Sequence, residues 1–243
     1  MNNHKPIFPN EMRIILIVVI IVLVILLLSF GKSFFFPTPV TPPPSYTIIA
    51  DFLPDEDIDP VLQPEISSRC SVEKRDEILW FQCDNDSQEI TYLRYSPRKN
   101  DQFHGIAMLA HVDQPYNETW GKIQLMMHFL APGDSNERIY TLSLRKGIIH
   151  ATEYYPANDW DSVSLAQKEI APDQQTKFHL LQIEFQDGFP QFIVDGELLE
   201  LQIPPNMPPN ADLPYSWKFE TVLSKNSDHH TLKGQIDWFA VLP

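Results

Sequence analysis

The segment EYYPANDWDS gathers Tyr154, Tyr155, Asn158, Asp159, Trp160 and Asp161 into one short stretch. Flat aromatic rings stack on the apolar faces of sugars, and neighbouring amides and carboxylates exchange hydrogen bonds with sugar hydroxyls. Trp160, with Tyr154, Tyr155, Asn158 and Asp161, is therefore a candidate sugar-contacting surface. A second stretch, DQPYNETWGK, adds Tyr116 and Trp120. The same rings are also good core and rim material, and Trp120 is placed to open a strand into a core. Both readings stay open at this level.

Other chemistry is sparser. Asp55, Asp57 and Asp59 alternate in PDEDIDP, a spacing that suits a hard cation. An EF-hand loop needs Gly at its sixth position and Glu at its twelfth. Pro60 and Ile66 stand there, so the run reads as a solvated acidic linker. His229 and His230 are adjacent, but there is no His-x-His, His-Glu-x-x-His or Cys-x-x-Cys, and no transition-metal site is expected. Gly-x-Ser-x-Gly and Gly-x-Gly-x-x-Gly are absent as well. Asn85-Asp-Ser87 and Asn117-Glu-Thr119 fit the glycosylation sequon.

The elements that must carry these residues are strands. KIQLMMHFL sets Ile123, Leu125, Met127 and Phe129 on one face, FHLLQIEFQ does the same with Leu181, Ile183 and Phe185, and YSWKFETVL with Tyr215, Trp217 and Phe219. YTLSLRKGIIHATEYY reads as a hairpin turning at Lys146-Gly147. In EFQDGFPQFIVDGELLELQI, the pairs Asp187-Gly188 and Asp195-Gly196 supply positive-φ turns and predict a tight three-strand meander. Apolar residues on both faces of its strands predict a layer buried between sheets. In RCSVEKRDEILWFQCDN a turn at Asp76-Glu77 sets Cys70 opposite Cys83, which predicts a disulfide in an oxidising compartment.

HLLQIEFQDGFPQFIVDGELLE resembles the long strand, short strand and hairpin of concanavalin A-like lectin/glucanase sandwiches, including laminin G-like modules. GQIDWFAVLP resembles their terminal strand and SVEKRDEILWFQCD their first hairpin. The resemblance implies an all-β, two-sheet antiparallel jelly-roll sandwich, and calcium, where such domains bind it, held by scattered ligands. Glycosidases of that superfamily carry Glu-x-Asp-x-x-Glu along one strand, which puts the carboxylates on one face of the cleft. No Glu in this chain begins Glu-x-Asp. The expectation is therefore a lectin-like domain that binds a glycan or cell-envelope polysaccharide without cleaving it, and with no catalytic residue. The alternatives are a protein-interaction or sensory module, and a glycoside hydrolase with unrecognised carboxylates.

Before the sandwich lies different material. IILIVVIIVLVILLLSF, residues 14 to 30, is apolar and just long enough as a helix to cross a hydrocarbon core of about 30 Å. The expected layout is a tail over 1–13, a transmembrane helix over 14–31, a Pro-rich stalk over 32–48 and a sandwich over 49–243. Lys5 and Arg13 before the helix, against Lys32 after it, orient the amino terminus to the cytoplasm and export the remainder. Residues 46–243 carry 15 basic and 31 acidic residues, a net of −16, which repels phosphate backbones and argues against nucleic-acid binding. Protease added outside intact cells is expected to digest the domain, and amino-terminal sequencing of the mature chain to begin before residue 14. A mature chain beginning after Gly31 or Ser33 would show that the segment is cleaved.

Overall fold

Period-two alternation needs a partner strand on each side and a second apolar face to pack against. The computed structural model supplies both. It describes residue 19 and residues 40–52, 62–85, 90–97, 103–113, 121–130, 133–145, 147–207, 214–223 and 230–243. The apolar segment 14–30, apart from Val19, the acidic run 54–60, Tyr116, Trp120 and the Asn117 sequon lie outside the described residues. Among the described residues no helix is long and apolar enough to cross a membrane.

The strands are β1 (Thr47–Ala50), β2 (Leu62–Ile66), β3 (Cys70–Arg75), β4 (Ile78–Asn85), β5 (Thr91–Pro97), β6 (Gly105–Asp113), β7 (Gly121–Phe129) and β8 (Arg138–Arg145). They continue with β9 (Ile148–Tyr155), β10 (Asp161–Glu169), β11 (His179–Gln186), β12 (Phe189–Val194), β13 (Glu197–Leu198), β14 (Ser216–Leu223) and β15 (His230–Leu242). A single 3-10 turn, Pro156–Asn158, joins β9 to β10. The first sheet runs β13-β12-β11-β6-β15-β4-β3, with β1 also on β15. The second runs β10-β9-β8-β7-β14-β5-β2. Every described pairing is antiparallel, as the expected sandwich requires.

The core fills the space between the sheets. Phe219 of the second sheet stacks on Tyr95 at 5.0 Å and meets Phe239 of the first at 4.6 Å. Phe129 meets Phe185 across the layers at 5.1 Å. Truncating any of these fully buried rings to Ala removes roughly 3–5 kcal/mol.

The local turn signals hold. Asp76 and Glu77 both take positive φ, as do Asp187 with Gly188 and Asp195 with Gly196. The meander β11-β12-β13 forms, but it ends the first sheet and is not a layer between two sheets. The second apolar face of β11 and β6 has another cover. Leu180, Ala107 and Leu109 pack with Tyr46, Trp238 and Ala240 into a separate buried cluster on the outer side.

Cys70 faces Cys83 in the β3–β4 register, and the two form the disulfide. The bond closes a short loop, worth roughly 3 kcal/mol in the chain-entropy model. The double variant Cys70→Ala/Cys83→Ala is expected to lose stability of that order in a denaturant titration. A thiol reagent should label neither cysteine of the unreduced, denatured wild type.

Candidate functional site

On the second sheet, residues in phase with Leu125, Leu142 and Phe219 face the core. Their alternates point outwards, and the registers line those alternates up into a row. Glu65 pairs with Arg94, Arg94 with Glu220, Glu220 with Gln124, Gln124 with Ser143, Ser143 with His150, and His150 with Gln167. Every member is polar. No strand is paired or stacked on this face among the described residues, yet Glu220 is only 4% exposed and Gln124 only 3%. The sheet curls over itself there. Lys122 of β7 and Tyr154 of β9 stand six residues apart along the strands, about 20 Å if the sheet were flat. Even so, the Lys122 ammonium donates to the Tyr154 hydroxyl at 3.1 Å.

The row is wired by charge. Arg94 donates from Nε to Glu220 at 2.8 Å and from Nη1 to Glu65 at 2.9 Å. Desolvation works against the Arg94 charge, but Glu220 and then Glu65 outweigh it, and the guanidinium is held more firmly protonated than usual. The Tyr92 hydroxyl donates to Glu65 at 2.6 Å and, with Arg94, holds that carboxyl below its ordinary range. The Gln124 amide donates to the other oxygen of Glu220. Beyond the row, Glu137 accepts from the Gly133 N–H at 3.1 Å, with His128 Nδ1 3.6 Å away. Burial, then Lys218 and Arg94, push His128 down to about 3, so the imidazole is neutral and this contact is not an ion pair. Burial, then Arg94, also lowers the nearby Lys218 ammonium. Gln124 Oε1, Thr141 Oγ1 and His128 Nε2 are buried on this face without a protein partner. Such atoms forfeit their hydration unless something polar meets them.

Tyr154, Tyr155, Asn158, Trp160 and Asp161, singled out in the sequence, sit at one corner of this sheet. Trp160 is 61% exposed, on a positive-φ step beside Asp159, where the 3-10 turn hands over to β10. Asn158 and Asp161 are exposed on either side of it. Tyr154 lies on the outer face against Lys122. Alternation sends Tyr155 to the opposite side, with the Arg138 guanidinium over its ring at 4.5 Å. There it belongs to a different assembly. Glu153 accepts from the Asn206 N–H at 3.0 Å, Tyr140 donates to the Asn206 carbonyl at 3.0 Å, and burial raises the Glu153 carboxyl above its usual range. That cluster pins the 199–207 segment and does not face the row. Among the described residues, no group of His, Cys, Asp and Glu is arranged to hold a metal ion. The motif search missed Glu220, Glu137, Arg94 and His128 because strands far apart in sequence bring them together. Their one visible signal is the polar phase of KIQLMMHFL and YSWKFETVL.

No family model matches the sequence, and no curated protein matches it either. Solved structures do match in fold. The catalytic domain of an endo-1,3-beta-glucanase (laminarinase) from Thermotoga petrophila superposes with a TM-score of 0.59 at 13% identity, over 81% of this chain and 97% of its own. A laminarinase from Flavobacterium gives 0.59 at 13%, over 81% and 100%. A Bacteroides ovatus mixed linkage glucan enzyme of glycoside hydrolase family 16, in complex with a G4G4G3G product, gives 0.56 at 11%, over 79% and 98%. At these identities the likeness is one of fold, and the resemblance to concanavalin A-like glucanase sandwiches stands. The expectation of a non-catalytic lectin-like module does not. The chain's fold neighbours are glycan-cleaving enzymes. The missing Glu-x-Asp-x-x-Glu removes one way of placing carboxylates, whereas Glu220 reaches this face from β14 and Glu137 from the residue just before β8.

His128 gives this face a pH signature. Its folded value, about 3, lies below the unfolded 6.5, so the stability tied to the neutral ring is present above pH 6.5 and is lost as pH falls towards 3. Denaturant midpoints measured across that window should fall more steeply for the wild type than for His128→Gln. Parallel profiles would show that the ring is protonated or exposed.

Proposed function

We propose that this chain is a glycoside hydrolase whose polysaccharide substrate lies across the outer face of the second sheet. The observation that carries the reading is the unbroken row of polar side chains across the outer face of the second sheet, from Glu65 to Gln167. Sugar hydroxyls are both donors and acceptors and match the exposed members of such a row, Glu65 and Gln167 among them. The fold neighbours supply the reaction class: they are described as endo-glucanases, and one holds a glucan oligosaccharide product.

Hydrolysis needs one carboxylate that stays ionised and one that can give a proton. Glu220, in direct ion pair with Arg94, is assigned the first role. Glu137 stands level with Leu130, six residues along β7 from the Gln124–Glu220 pair and about 20 Å away in register, too far to be its partner in a carboxylate pair, and is assigned to substrate binding. Trp160, Tyr154, Asn158 and Asp161 form a sugar-contacting rim at the β9–β10 end, with Tyr155 supporting them from behind. Trp120 and Tyr116 precede β7 in sequence and are assigned to the same substrate. The protein works outside the cytoplasm, tethered through residues 14–31, a reading that the Cys70–Cys83 disulfide supports.

The test is release of reducing ends from laminarin, lichenan and charged polysaccharides by the purified full chain. Glu220→Gln is expected to lower kcat by at least about 100-fold while leaving the fold intact by circular dichroism. Trp160→Ala is expected to raise KM at unchanged melting temperature, since the ring is exposed. A wild type that cleaves none of these polymers, or variants with full activity, would overturn the assignment.

A further inference from the structure

One end of the outer face is cationic in a chain whose net charge is −14. Arg145 closes β8 on this side, two residues beyond Ser143 and so in the same phase. Its Nε is buried without a hydrogen-bond partner, and among the described residues it makes no ion pair. Lys122 lies one step beyond the pairing of Ile123 with Leu144, which sets it beside Arg145. Its ammonium donates to the Tyr154 hydroxyl, and among the described residues it makes no salt bridge to a carboxylate. His150 sits opposite Ser143, with Nε2 against Ser164 Oγ at 2.7 Å. Burial, then Arg145 and Lys122, lower its basicity, which places the two cations within electrostatic reach of one ring. Glu169 is the nearest carboxylate in register, across β9 from Arg145 through Ile148, and it makes no salt bridge to either cation.

A guanidinium with a buried, unsatisfied N–H and no counter-charge is expensive in isolation. Elsewhere on the same sheet Arg94 is fully paired, through both Glu65 and Glu220. The two arginines differ: Arg94 has two carboxylates, and among the described residues Arg145 has none, which leaves its outer guanidinium N–H groups for an anionic ligand. Planar guanidinium donors match carboxylate and sulfate oxygens. Placed beside the proposed glycan path, with the Tyr154 hydroxyl against Lys122, these donors select a charged sugar.

We infer that Arg145 and Lys122, with His150 and Tyr154, form a subsite for an anionic sugar substituent, a uronate carboxylate or a sulfate ester, so that the substrate is an acidic polysaccharide and not a neutral glucan. The inference rests on the proposed substrate path along this face. It also explains how an acidic protein takes an acidic polymer. General attraction is excluded by the net charge, and the local cations decide.

Binding of the full chain to polygalacturonate, to a sulfated galactan and to laminarin would be measured by isothermal titration, with polyaspartate as a sugar-free polyanion. One acidic polysaccharide is expected to bind at least about tenfold more tightly than laminarin, and which one does so separates carboxylate from sulfate. Arg145→Gln should abolish that preference, Arg145→Lys should retain part of it, and Lys122→Gln should reduce it, all at unchanged melting temperature. Equal affinity for laminarin, equal affinity for polyaspartate, or a preference that survives Arg145→Gln would overturn the subsite. Reducing-end release separates this from the reaction itself. Cleavage of laminarin alone would sink the subsite and keep the hydrolase, whereas Arg145-dependent binding of an acidic polysaccharide without cleavage would keep the subsite and sink the hydrolase.

Discussion

The pairing of β7 with β14 sets the outer face of the second sheet. It runs without interruption from Ser216 opposite His128 to Leu223 opposite Gly121. A slip of one residue would turn Phe219 and Leu125 out of the core and drive Glu220 and Gln124 into it. The apolar side of both strands therefore fixes the polar side. The arrangement also depends on Arg94, because Glu220 is almost inaccessible to solvent. Removing Arg94 would leave the Glu220 carboxylate unpaired in a poorly hydrated place, whereas Arg94 itself keeps Glu65 if Glu220 is neutralised. The same guanidinium ties β2, through Glu65, to the middle of the sheet.

What could be read from the sequence was what depends on neighbours in the chain. Turns at Asp76-Glu77, Asp187-Gly188 and Asp195-Gly196 follow from residues that tolerate positive φ, and the β3–β4 register, with its disulfide, follows from the first of them. The strands follow from alternation. The double-sided apolarity of β11 was misplaced because its cover comes from Tyr46 and Trp238, which are distant in sequence. The row from Glu65 to His150 could not be read for the same reason. Arg94 and Glu220 are 126 residues apart, and Gln124 and Glu220 are 96. Aromatic composition drew attention to the β9–β10 corner, but period-two geometry sends Tyr154 and Tyr155 to opposite sides.

The missing strand motif has a broader lesson. A carboxylate pattern along one strand is the simplest way to aim acids at one face, because alternation does the aiming. Here β7 offers Lys122, Gln124, Met126 and His128 in that phase, with no acid among them. Acids reach the same face from β14 and from the residue just before β8. The chemistry of a sheet face belongs to rows that cross strands, and rows are invisible to a search that moves along the chain.

The outer end of the fold has a mechanical aspect. β1, the first strand, pairs with the last residues of β15, Thr47 with Val241 and Ile48 with Ala240. Just before it, the Tyr46 hydroxyl donates to Glu184 at 2.9 Å, and its ring covers the outer apolar cluster. The start of the sandwich is therefore held by this short ladder, the Tyr46–Glu184 hydrogen bond and the packing of the Tyr46 ring. β1 contributes few pairs and lies off the main path of its sheet, so it can peel away while β6, β15 and β4 remain paired. The chain therefore enters the sandwich through a strand whose loss would leave both main sheets paired as they stand, a detachable margin and not a structural member.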